Sequence, residues 1–173
     1  MMSKPSLWVG ATALAFFAAT ALAQGSPPLD VCATMQGRVN PAVLEIWEIG
    51  NNAMNDDGAL DPALLDNAKW AQLASAAAQL AATGRDMAEA QSLIAATPSN
   101  AAVGEGEVTM PQVQRLMDAD PAAFRRLAAG FEAHANKLAA AAASRDPVAT
   151  NELIGGIDAV CEGCHAQFWY ASS

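Results

Sequence analysis

Between Asp120 and Ser144 the apolar residues fall at Phe124, Leu127, Phe131, Ala135, Leu138 and Ala142, with Arg125, Arg126, Glu132 and Lys137 opposite them. A three-or-four spacing of this kind places one apolar stripe along a helix and leaves its charges in water. The same period recurs after Asp61, at Trp70, Leu73, Ala77 and Leu80, with Gly84 where a C-terminal cap is expected, and after Asp146, at Leu153, Ile157, Val160, Cys161, Cys164 and Phe168. Four dipeptides, Asn40-Pro41, Asp61-Pro62, Asp120-Pro121 and Asp146-Pro147, mark helix starts. The Asn or Asp side chain can accept from an unpaired N–H, and proline in the first turn lacks a donor that would go unused. The first helix reads in two ways, as a start at Asn40 or as a helix from Asp30 that runs on through Pro41 with a kink. The second is preferred, because Val31, Met35, Val39, Val43, Ile46 and Ile49 then share one side.

These elements predict an all-α fold, an antiparallel four-helix bundle. Short connections near residues 55 to 60 and at Arg145 pair helices one with two and three with four. The link from Arg85 to Asp120 is long. It is expected to continue in broken helical turns from Met87 to Ala96, cross by way of Pro98, Gly104, Gly106 and Pro111, and include a short helix from Met110 to Asp118. The alanine-rich composition leaves little room for a sheet.

Ahead of this pattern stand Lys4, an apolar run from Leu7 to Leu22, and Ala21-Leu22-Ala23 before Gln24. This is the layout of a cleaved export signal over residues 1–23, leaving residues 24–173 as one domain in the periplasm. The apolar run is short for a membrane span. Without Lys4 the chain carries eight basic residues against eighteen acidic ones. Such a chain repels phosphate backbones, so nucleic acid is excluded as a partner, and a basic or neutral protein surface is the better electrostatic match.

The chemistry concentrates at Cys161-Glu162-Gly163-Cys164-His165. Two thiols at i and i+3 can add to the two vinyl groups of one porphyrin, and the adjoining imidazole can bind its iron, so the segment reads as a c-type haem attachment site. A zinc half-site would want a second pair, and only Cys32 and His134 remain, far apart in sequence. A redox dithiol would want a βαβ setting, which the pattern does not offer. Cys32 is left over, an idle buried thiol or an intermolecular disulfide. Gly155 and Gly156 cost about 1 kcal/mol each inside a helix. They predict either a close approach of another helix or the porphyrin, or a local loosening. No carboxylate pair, nucleophile-base set or phosphate loop appears, so no enzyme activity is expected.

An exported, alanine-rich chain with four helices and CEGCHAQF on the last of them resembles the cytochrome c′ and cytochrome c556 family. The resemblance covers the mature chain in architecture, with that motif as its specific part. It implies one covalent haem c on Cys161 and Cys164, His165 as the proximal iron ligand, and a distal residue from the first helix. It also implies assembly outside the bacterial inner membrane, and dimers are common in the family. Members often have a glycine where this chain has Asp158 and a basic residue where it has Trp169. Both departures lie on the proximal side and bear against carrying over the gas chemistry of cytochrome c′.

Met35 and Val43 are the candidates for the distal position. A thioether closes the iron and makes an electron carrier, whereas an apolar residue leaves it open to nitric oxide or carbon monoxide. Met35 is preferred, with core packing as its other reading. His134 is the other possible axial ligand, but it lies lateral to its stripe and reads rather as solvated or half-buried. Trp47, Trp70, Trp169 and Tyr170 read as pocket wall or core. The expected function is single-electron transfer between redox partner proteins. Gas binding is the alternative, and a subunit of a larger dehydrogenase is a third reading.

Overall fold

Asp30 opens the first helical stretch: its carboxylate accepts the Ala33 N–H at 2.9 Å. The computed structural model describes residues 26–105 and 107–170; the leader assigned to residues 1–23 lies outside them. Helix α1 (Val31–Thr34) widens into a π turn over Met35–Val39 and continues directly as α2 (Asn40–Asn52). In the π turn the Asn40 N–H reaches back five residues to the Met35 carbonyl. Pro41 can donate to no carbonyl, and the extra residue in the wider turn just before it absorbs the mismatch. The helix therefore runs on through Pro41, and Val31, Val39, Val43 and Ile46 of its expected stripe are buried.

Two of the expected starts hold as drawn. Asp120 caps α5 (Pro121–Ser144) through the Ala123 N–H at 2.8 Å, and Asp146 caps α6 (Pro147–Gly155) through Val148 and Ala149 at 3.1 and 3.0 Å. Asp61 does not open a long helix. Its carboxylate accepts from Ala63 at 2.9 Å but holds only the single 3₁₀ turn Pro62–Leu64, and α3 (Asn67–Glu89) starts instead under Asp66, which accepts the Lys69 N–H at 2.8 Å. Gly84 is not a cap either. It lies inside α3 where α5 comes closest: a Cβ there would stand 2.8 Å from the Glu132 backbone nitrogen. Helix α4 (Met110–Ala119) begins after Thr109, whose N–H and hydroxyl both meet the Gln112 side-chain oxygen, at 3.0 and 2.7 Å.

The expected broken helix from Met87 to Ala96 ends at Glu89. The chain turns extended there, and β2 (Leu93–Ile94) pairs in parallel with β1 (Leu29–Asp30). Around this short pair the Asp30 carboxylate also accepts the Thr97 N–H at 2.8 Å, and the Cys32 N–H donates to the Ala95 carbonyl at 3.0 Å. One aspartate thus caps a helix and ties the crossover to it. Burial pushes its carboxyl pKa up, but the hydrogen bonds from Ala33, Thr97 and Asn100 outweigh that and hold it below its ordinary 3.8. A depressed carboxyl contributes stability above the unfolded pKa and loses it as pH falls through the folded one. Asp30→Ala is therefore expected to lose about 1–2 kcal/mol at neutral pH, as caps do. The gap from wild type narrows below pH 3.8, which urea denaturation at stepped pH will read.

The remaining helix is α7 (Ile157–Phe168). Helices α3 and α5 form the most extensive pair; α2 packs on α3, and α6 and α7 both pack on α5. Ile46, Leu73, Leu80, Leu138 and Ile157 are fully buried between them. Each such side chain contributes about 1.5–3 kcal/mol of transfer free energy. The fold is all-α apart from the two-residue strands, and no helix among the described residues is long and apolar enough to cross a membrane.

Candidate functional site

Helix α7 carries Cys161, Cys164 and His165 within one turn, at i, i+3 and i+4, the offsets that share a helix face. All three are half-buried and open on one cleft of about 670 Å³. The first helical stretch contributes Met35, Val39, Val43 and Trp47 to its lining, and α5 contributes Phe124, Leu127 and Phe131. The volume falls in the range of about 300–1,000 Å³ usual for cofactor sites, and the lining is apolar except for Asn40, Asp158, Tyr170 and the residues of the motif itself.

Burial governs the thiols. It pushes Cys164 up to about 11, with the neighbouring Cys161 adding to the shift, and it raises Cys161 together with the charge of Asp158. A redox dithiol needs the opposite, a thiolate favoured at neutral pH. The environment therefore bears against the thioredoxin-like reading. For zinc, no three or more His, Cys, Asp or Glu side chains among the described residues are arranged so that they could hold one bare metal ion.

The imidazole of His165 packs edge-on against Tyr170, with ring centres 5.7 Å apart, and lies 6.4 Å from Trp169. It also borders a smaller cavity of about 240 Å³ together with Cys32, Glu107, Met117 and Trp169. Met35, Asn40, Phe124, Cys164 and His165 line both spaces. Glu107 is the residue the sequence did not point to. Its carboxylate accepts the Gly104 N–H at 2.6 Å, and this bond, with one from the Trp169 side chain, outweighs burial and holds it below the usual carboxylate range; His165 adds to the lowering. A backbone bridge between Glu107 and Tyr170, and the Val108 N–H donated to the Trp169 carbonyl at 3.1 Å, tie this part of the crossover to the end of α7. No periodicity marks an irregular loop, so only the folded chain brings Glu107 there.

The other anticipated residues divide. Met35 and Val43 both face the larger cleft. Trp47 and Tyr170 line it too and Trp169 lines the smaller cavity, whereas Trp70, 4% exposed, belongs to the core and borders neither. His134 borders neither space; its Nε2–H donates to the Leu153 carbonyl at 2.8 Å. Cys32 is buried, and its thiol is raised by burial and by Asp30 and Glu107. The glycine pair splits: Gly156 meets the His134 ring, and Gly155 has nothing within 4 Å of an added Cβ. Comparison with protein-family models, curated proteins and solved structures gives no match.

The donor chemistry suits a flat apolar macrocycle with a central metal. Two thiols and an imidazole reach one apolar cleft from a single turn, and Gly163, one of the two residues between the thiols, leaves space: the nearest neighbour to an added Cβ is Leu127 Cδ2 at 3.9 Å.

Proposed function

We propose that the chain is an exported c-type cytochrome with a four-helix bundle like that of the cytochrome c′ and cytochrome c556 family. In this reading it is an electron carrier in the periplasm, not an enzyme. The observation that carries it is the convergence of Cys161, Cys164 and His165 on one apolar cleft of about 670 Å³. Both thiols would form thioether links to one haem c, and the His165 imidazole would be the proximal iron ligand. Bound there, the iron porphyrin supplies a one-electron couple. Phe124, Leu127 and Phe131 line the cleft with apolar surface, which would lower the local dielectric around the group and favour its less charged redox state. The excess of acidic residues favours a partner protein with a basic surface and steers its approach at low salt.

Met35 is the distal candidate, since it lines the same cleft as His165 and borders the second cavity beside His165 as well. A thioether in that role stabilises reduced iron. Met35→Ala is expected to abolish the low-spin ferrous spectrum and to let carbon monoxide bind; an unaltered spectrum removes Met35 as a ligand. A second reading rests on Val43, an apolar residue of the same lining. If Val43 rather than Met35 faces the iron, the wild-type ferrous protein binds carbon monoxide or nitric oxide directly and functions as a gas-binding protein. Adding carbon monoxide to wild type separates the two readings.

A further inference from the structure

The last helical segment is in two pieces, and the joint is occupied. Helix α6 ends at Gly155, Gly156 sits between the pieces with φ −83° and ψ −9°, and α7 begins at Ile157. Against this joint α5 sets the half-buried ring of His134. Its Nε2–H donates at 2.8 Å to the carbonyl of Leu153 in the last turn of α6, where helix carbonyls run short of partners. Its Cε1 lies 2.9 Å from where a Gly156 Cβ would be, so glycine is what lets the ring seat. Gly155, next in line, has open space around it. The two glycines therefore do different things, and only Gly156 answers to His134.

The consequence falls on α7, which turns about this joint with Cys164 eight residues further on. Eight helical residues span about 12 Å, so a change of about 10° at the joint moves that end by about 2 Å. Functional constellations tolerate about 0.5 Å. We infer that His134 is the positioning residue that fixes the angle of α7 and through it the placement of the Cys161, Cys164 and His165 side chains in the cleft. This rests on α7 being the haem-bearing helix. His134 touches neither cavity and takes no part in ligation.

The test uses the full chain matured with haem and reads two quantities: amide hydrogen exchange at Ile157–Val160, and the midpoint potential with the ferric spectrum. His134→Ala and Gly156→Ala are each expected to speed exchange by about tenfold and to shift potential and spectrum. His134→Gln, which keeps an N–H for the Leu153 carbonyl, restores both, and Gly155→Ala leaves both at wild-type values. In the His134→Ala background the Gly156→Ala change adds nothing further, because the ring it collides with is gone. Wild-type potential and exchange in His134→Ala overturn the inference, whatever its thermal stability. So does an undiminished Gly156→Ala effect in that background. A wild-type chain without covalent haem sinks the cytochrome reading alone, since exchange at the joint still reports on His134.

Discussion

Cys161→Ser together with Cys164→Ser is expected to leave the chain without covalent haem: denaturing electrophoresis stained for haem should give no band, and acid acetone should extract whatever porphyrin remains. The loss is expected to be complete, because the chain has three cysteines and the third stands outside the α7 turn. Cys32 is buried in α1 and borders only the smaller cavity, whereas both late thiols belong to one turn of α7 and line the larger cleft. His165→Ala separates attachment from ligation. The thioether links are expected to remain, so the haem stain should persist, while the ferrous spectrum should change for want of the imidazole. A chain that keeps a full haem stain with both serines in place would mean that attachment lies elsewhere.

Gly84→Ala is expected to destabilise the fold by about 1–3 kcal/mol, the usual cost of overpacking. Helix propensity alone would favour alanine by about 1 kcal/mol. The added methyl, however, stands 2.8 Å from a backbone nitrogen of α5 at Glu132, and backbone cannot rotate away as a side chain would. Either the α3 and α5 pair, the most extensive in the fold, moves apart or the contact is strained. Gly130→Ala is the control on α5 itself. With nothing within 4 Å of the new methyl, it should gain about 0.5–1 kcal/mol. Urea denaturation reads both changes, and opposite signs are expected from the same chemical substitution.

The same glycine shows where sequence reading works and where it stops. Gly84 was expected as a helix terminus, because one-dimensional signals report glycine as a breaker; close approach of a second helix is information from elsewhere in the chain. Asp61-Pro62 misled in a related way. It carries the signature of an N-cap, and its carboxylate does accept a local N–H, but the turn it holds is too short, and Asp66 begins the helix five residues later. Caps at Asp120 and Asp146 were legible because an Asp-Pro pair stands directly before a helical apolar period in each case. The first helix was legible through Pro41, yet the π turn that carries it there follows from backbone hydrogen bonding and leaves no side-chain period. The parallel strands at Leu29–Asp30 and Leu93–Ile94 are two residues each, below what alternation can reveal.

The candidate site was legible to a similar depth. CEGCH fixes three donors to one turn by spacing alone, and Met35 and Val43 follow from sharing a stripe. Its third wall, Phe124, Leu127 and Phe131, was visible only as the core face of a helix; that this face opens on the thiols depends on how α7 lies across α5. Glu107, drawn in beside His165 by its backbone bridge to Tyr170, had no signal at all. His134 was correctly read as lateral to its stripe, but its partner, a carbonyl in another helix, could not be read from spacing.

The most direct measurement is the intact mass, under denaturing conditions, of the wild-type chain exported from cells that carry cytochrome maturation machinery. The expected result is one haem per chain, retained after denaturation and mapped to the peptide holding Cys161 and Cys164. An unmodified mass, with both of those thiols free to alkylate, would contradict it.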